Sequence, residues 1–227
     1  MSSEPYADVR EMYMAHSMFR REFGLLPALI SGVRAGDTAR AGVVARHFEL
    51  IHTVLYHHHH AEDTYLWPRV LSRAPEPAGS VVTTMEAQHG ELDKVIDDLT
   101  AGLRDWRASA DPKPGAALAE TATRLVGLLS RHLAAEEEQA LPLIARYVTA
   151  AEWGEMVAAG AADVAPEQIP LIFGLMMYEG DPEVIGEAVS HMPPDVAAVM
   201  PGLAAEAFAR HAELVHGTAV PAKSGDL

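Results

Sequence analysis

Four segments of this chain carry apolar residues at alternating three- and four-residue steps, and that rhythm leaves few folds open. The first stripe is Val9, Met12, His16, Phe19, Phe23, Leu26, Ile30; the second is Val44, Phe48, Ile51, Leu55, His58, Glu62, Tyr65. The third reads Val82, Met85, His89, Leu92, Ile96, Leu99, Leu103, Trp106, and the fourth Leu118, Ala122, Leu125, Leu129, His132, Glu136, Gln139, Leu143. Each repeats at the pitch of an α-helix, and no stretch alternates as a strand would. Loop compositions separate them: "SGVRAGD" at 31–37, "SRAPEPAGS" at 72–80 and "SADPKPGA" at 109–116. Four amphipathic helices joined by short loops predict an all-α fold, an up-down-up-down four-helix bundle. With 49% apolar residues in 227, a bundle of ordinary size plus an appendage can be buried.

The stripes are interrupted by residues that do not belong on a bundle axis. His16, His58, Glu62, His89, His132 and Glu136 all fall on the seams. Burying six such groups without partners would cost several kcal/mol each. A shared metal site satisfies them together, because a cation accepts imidazole and carboxylate lone pairs at once. The spacing sharpens this: His58 to Glu62 and His132 to Glu136 both read H-x-x-x-E, and i, i+4 partners project from one helix face. Pro68 and Pro142 each follow ten residues after their histidine. In the predicted bundle these two helices run parallel, so both glutamates reach similar depth and can each bridge two metals. Four nitrogens and two bidentate carboxylates exceed one tetrahedral zinc and suit a dinuclear site with open positions.

The run "LYHHHHAEDTYLWP", Leu55–Pro68, contributes a single seam ligand on this phase, His58. His57 and His60 read as solvated neighbours. His59 lines up with His52 and stays open as a supporting group or a substitute ligand. Tyr13 and Glu86, one turn before His16 and His89, are candidates to orient those imidazoles. Arg20 is placed to neutralise a carboxylate near the site, whereas Glu137 and Glu138 read as solvated.

Charge and composition exclude other classes. Lys+Arg 17 against Asp+Glu 32 gives −15, which repels a phosphate backbone, so nucleic acid is not the expected partner. No cysteine is present, which removes disulfides and thiolate chemistry. No apolar run approaches the roughly 18 residues of a membrane helix, and the N-terminal stretch lacks an apolar signal core. A cytoplasmic protein without membrane attachment is expected.

The pattern H … HxxxE … H … HxxxE, with a proline after each HxxxE, resembles the hemerythrin-like, HHE cation-binding family over about residues 9–147. The resemblance implies a non-haem di-iron centre of two oxo- or hydroxo-bridged iron ions held by His16, His58, Glu62, His89, His132 and Glu136. It also marks a departure. Oxygen-carrying hemerythrins have a further histidine where this chain has Asp93, and an aspartate-type bridge where it has Glu136. With one imidazole fewer, the site is expected to be more open, favouring peroxide, nitric oxide or redox chemistry over simple oxygen carriage.

Residues 1–149 thus form the expected bundle unit, and 150–227 a helical C-terminal extension packing on it, with a short flexible tail. "TAAEWGEM" has a capping-box form, Thr149 with Glu152. Further helices are expected at 166–178, 182–192 and 195–215. His211 and His216 read as surface residues. The extension serves as a lid or as the surface of a homodimer, in an otherwise monomeric protein. Two functions remain open: a di-iron protein reacting with dioxygen, peroxide or nitric oxide, including a peroxide-consuming, catalase-like oxidoreductase, and a non-catalytic iron or oxygen sensing module. A structural zinc or manganese pair is a third.

Overall fold

A computed structural model describes residues 4–162 and 164–227, and among them every regular element is helical. Four long helices carry the stripes: α1 (Arg10–Ser31), α2 (Thr38–Ala61), α4 (Ala78–Trp106) and α5 (Pro112–Ala135). The first short connection ends on Asp37, whose carboxylate accepts from the Arg40 backbone N–H; Asp111 does the same for Lys113 at the start of α5. Helices α1 and α4 each pack against both α2 and α5. Their apolar seams merge into one core that includes Phe19, Phe23, Phe48, Leu55, Leu99, Leu125 and Leu129.

Two elements depart from the periodicity. Directly after α2, residues Glu62–Leu66 form a π-turn before α3 (Trp67–Arg73); after α5, Glu136–Ala140 form another before α6 (Leu141–Tyr147). The Trp67 N–H bonds back to the Glu62 carbonyl, and the Leu141 N–H to that of Glu136, five residues rather than four. The cause lies in the next residue. Pro68 and Pro142 have no N–H to give, and in a tight α-turn their rings would collide with the carbonyl four residues back. Widening the turn relieves this and inserts one residue into the register. Tyr65, Gln139 and Leu143, expected on the seam, therefore leave it. Leu66, Ala140, Leu141 and Ile144 are buried in their place, in a second apolar cluster with Trp67, Met85 and Trp153.

Beyond this, α7 (Ala150–Ala162) opens with the expected capping box: Glu152 N–H donates to Thr149 Oγ1, and the Thr149 N–H to Glu152 Oε2. The chain continues through α8 (Ile169–Met177), α9 (Pro182–Ser190) and α10 (Pro194–His216), which ends on Gly217 at φ 72°, a left-handed cap that glycine adopts without penalty. Leu175 of α8 with Phe208 and Ala212 of α10 joins the core of the four long helices. Arg21, buried in α1, donates to the Leu175 carbonyl and to Glu179. Arg40 reaches the carbonyls of Leu214 and Val215. Near the end of the chain Ser224 donates to Glu179, and the Tyr178 hydroxyl to the Pro221 carbonyl. No described helix is long and apolar enough to cross a membrane.

Helices α8 and α10 meet at Gly174, where a Cβ would run into the Ala204 carbonyl and the Phe208 side chain. Backbone cannot yield as a flexible side chain does. Gly174→Ala should therefore cost about 1–3 kcal/mol of stability in urea unfolding. Gly186→Ala on α9, with nothing near its added methyl, should be neutral or stabilising by up to about 1 kcal/mol.

Candidate metal centre

The two π-turns begin on the two glutamates of the H-x-x-x-E pairs, so Glu62 and Glu136 keep the α-register of His58 and His132 and the register shifts only after them. Both carboxylates are completely buried, at 0% exposure. Around them stand five imidazoles: His16 from α1, His58 and His59 from α2, His89 from α4 and His132 from α5. Their Nε2 atoms, and all four oxygens of Glu62 and Glu136, are buried without a hydrogen-bond partner.

Three sets of these atoms lie within 4.8 Å of one another: His16, His58 and Glu136; His59, His89 and His132; and Glu62, His132 and Glu136. The carboxylates link the sets. Glu62 Oε1 faces His58 Nε2 at 3.1 Å, and its Oε2 faces His89 Nε2 at 3.5 Å. Glu136 Oε2 lies 3.3 Å from His16 Nε2 and 3.8 Å from His132 Nε2. Each glutamate thus spans from one histidine set to the other.

The far nitrogens are tied down. His16 Nδ1 donates to Glu137 at 2.8 Å, His89 Nδ1 to Asp63 at 3.0 Å, and His132 Nδ1 to Gln88 at 3.0 Å. A neutral imidazole carrying its proton on Nδ1 turns a bare lone pair inward at Nε2, as a metal ligand must. Arg20 donates to the same Glu137 oxygen, and the Trp67 indole to the same Asp63 oxygen. Arg20 therefore has the role expected of it, whereas Glu137 is an orienting group and not a solvated one. Tyr13 is 45% exposed and Glu86 is exposed; the imidazoles they were candidates to orient are held by Glu137 and Asp63 instead.

His59 is the largest difference from the sequence reading. Adjacent residues on a helix diverge by about 100°. Because α2 lies between α1 and α4, that divergence lets two neighbours both point inward. His58 turns toward His16, with ring centroids 5.6 Å apart; His59 stacks on His89 at 4.0 Å. His60 is exposed, and His57 is half-buried beside Tyr56. Asp93 is exposed and turned away from these groups, whereas His59 adds a fifth inward imidazole. The available signal was the i, i+3 relation of His59 to Glu62, alongside the i, i+4 relation of His58.

Burial pushes the His58 pKa down to about 3, that of His132 to about 4, and that of His59 well below the usual value. Burial also acts downward on His16, but Glu136 and Glu137 outweigh it and raise it. Burial, then the neighbouring Glu136, drives Glu62 well above the carboxylate range; Glu136 resists burial through His16, His58 and His132 and stays low. Two carboxylates this close cannot both be ionised in an apolar interior unless positive charge joins them. The donor set fits metal cations.

The model of the hemerythrin HHE cation-binding domain matches residues 7–144, more than half of the chain, and the protein belongs to that family. A search of curated proteins and one of solved structures each returned no match.

The depressed histidines set a pH dependence for the metal-free protein. Below about pH 6.5 the unfolded chain protonates His58, His59 and His132, while burial keeps all three neutral well below that in the folded chain, His58 to about 3 and His132 to about 4. The unfolded state then binds more protons, and stability falls as pH falls. Glu62, raised well above its usual value, opposes this with one proton over part of that range, whereas His16, also raised, adds stability that is fully present below about pH 6.5 and is lost only above it. His47, His52 and His211, also depressed, act with the first three. Urea midpoints in chelator should drop steadily from about pH 6.5 to about pH 4.5; a flat or rising profile would contradict the assignment of neutral buried imidazoles.

Proposed function

We propose that the four long helices form an up-down-up-down bundle around two iron ions, and that the protein is a non-haem di-iron protein reacting with dioxygen, peroxide or nitric oxide. The observation that carries this is the set of nine buried donor atoms without partners: five Nε2 nitrogens and four carboxylate oxygens. Four-coordinate zinc has no use for so many, whereas two six-coordinate ions offer about twelve positions. About three then remain for solvent or an incoming ligand. His16, His58, His59, His89 and His132 would supply the nitrogens, with Glu62 and Glu136 each reaching both ions. Bound iron supplies the electron transfer and the affinity for small oxygen and nitrogen ligands that these side chains lack.

The chain's own groups set who enters and how protons move. The inward atoms are closed off from solvent, which favours ligands of diatomic or peroxide size over larger ones. Phe19 and Leu55 pack beside His58 and keep bulk water out. Glu137, Asp63 and Gln88 hold three rings in one tautomer. Asp63, 40% exposed and bonded to His89 Nδ1, is the point where a proton passes between solvent and the centre.

A second reading, a non-catalytic sensor, is favoured by the contacts of α8 and the C-terminal residues with α1, through Arg21, Glu179 and Leu175, because α1 also carries His16. Turnover separates the two. Iron-replete protein should hold about two iron ions per chain. Glu62→Ala or Glu136→Ala should lose both ions. His59→Ala should lower iron content, and His60→Ala should not. Excess azide should shift the near-ultraviolet iron absorption, and peroxide should be consumed over many equivalents. Consumption of only about one equivalent per centre would favour the sensor, and negligible iron in a fully helical protein would refute the di-iron reading.

A further inference from the structure

A second group of donors lies about three turns of α2 away from His58, toward the start of that helix. Glu22 of α1, His47 of α2 and His216 at the end of α10 bring their donor atoms within 4.8 Å of one another. His211 and His216 are not surface residues as the sequence reading had them. The last turns of α10 lie on α2, and the His216 side chain is almost wholly covered. We propose that Glu22, His47 and His216 form a separate, mononuclear site for a divalent transition metal of the zinc class, which clamps the end of α10 onto α1 and α2.

The geometry around His47 makes the case. Its Nδ1 is paired with His211 Nε2 at 3.0 Å. Its Nε2 is buried, has no hydrogen-bond partner, and stands 3.3 Å from Glu22 Oε2. His216 Nε2 stands 3.3 Å from that same oxygen. With the proton of His47 on Nδ1, a nitrogen lone pair and a carboxylate lone pair confront each other in the interior. A cation between them turns that repulsion into two bonds. The His47 and His216 rings meet nearly edge to face, 82° apart, which aims their nitrogens at Glu22 from different directions.

Charge supports the same conclusion. Glu22 Oε1 is taken by Arg21 Nε at 2.6 Å, and Arg21 is shared with Glu179 at 2.7 Å. One buried guanidinium between two carboxylates leaves a negative balance that a divalent ion offsets. His211 on the far nitrogen of His47 holds that ring in place, and the site uses the tautomer in which His47 Nδ1 donates to His211 Nε2. Two imidazoles and one carboxylate are a zinc-type ligand set with one position left for water. The three ligands come from three helices, two among the four long ones and one in the extension, so occupancy ties the two parts together. This inference does not depend on what the di-metal centre does.

The test uses full-length protein stripped with chelator and titrated with Zn2+ and, for its visible bands, Co2+. Wild type should take up one equivalent more than His216→Ala or His47→Gln, while iron-replete, unstripped samples of both variants show the same iron absorption as wild type. Zinc should slow amide exchange at the end of α10 in wild type and leave it unchanged in His216→Ala. If His47→Gln fails to fold, His216→Ala, altered only at the end of α10, still decides. Equal metal content in wild type and His216→Ala would overturn the site and leave Glu22 hydrogen-bonded to His216. Zinc uptake without protection of α10 would overturn the clamp.

Discussion

Two carboxylates and five imidazole lone pairs stand in the middle of this protein with nothing from the chain to bond to. Most buried polar groups are paired, and each failure costs on the order of a few kcal/mol, so nine orphaned atoms would consume a typical domain's whole stability. The rest of the architecture makes sense as support for that arrangement. Phe19, Leu55, Met85 and Leu129 form the apolar surround that keeps water from filling it. Glu137, Asp63 and Gln88 stand behind three rings to fix their orientation. Only positive charge placed among the donors closes the account, and the family's cation binding is that charge.

The π-turns show how the chain reaches such a geometry. In a continuous α-helix, Glu62 and Leu66 would sit on the same face with ordinary spacing. The following proline would then press against the carbonyl four residues back. Opening the turn resolves the clash and shifts the downstream face by one residue. The bonds from Trp67 to Glu62 and from Leu141 to Glu136 mark where each α-ladder loosens, and both lie at a glutamate of the centre. Such loosened turns are frequent at functional sites. Here the sequence cause is visible in duplicate, as a proline ten residues after the histidine in both segments.

Much of this was legible beforehand. Every stripe residue from Met12 to Ile30 and from Val82 to Trp106 is buried, because nothing interrupts the α-pitch there, although α1 also buries Met14, Met18, Arg21 and Glu22, which no stripe marked. The six seam residues are likewise brought together where the stripes put them. Reading failed where a local event broke the assumed period. Tyr65, Gln139 and Leu143 were placed by extending an α-register through turns that are not α. His59 was left open between a supporting group and a substitute ligand because one seam was assumed to be one residue wide, although a helix flanked by two partners buries a broader face. Glu137 and His216 looked solvated because their partners, His16 and Glu22, lie far away in sequence, and nothing local announces such a contact.

The extension raises the question of why a site complete within the matched residues needs seventy-odd more. Arg21 and Glu22 suggest the physical answer. They lie in α1 between His16 and the core residue Leu26, and both are fully buried, a costly position for charge in any helix. Without the extension Arg21 would lose Leu175 and Glu179, and Glu22 would lose His216. An uncovered α1 would face solvent along the flank roughly opposite the one that carries His16. The sequence of α1 has therefore committed two charges to partners on α10 and around α8, and its stability is coupled to theirs. Whatever loosens the end of α10 should be felt on α1, in the helix that holds the first imidazole of the metal centre.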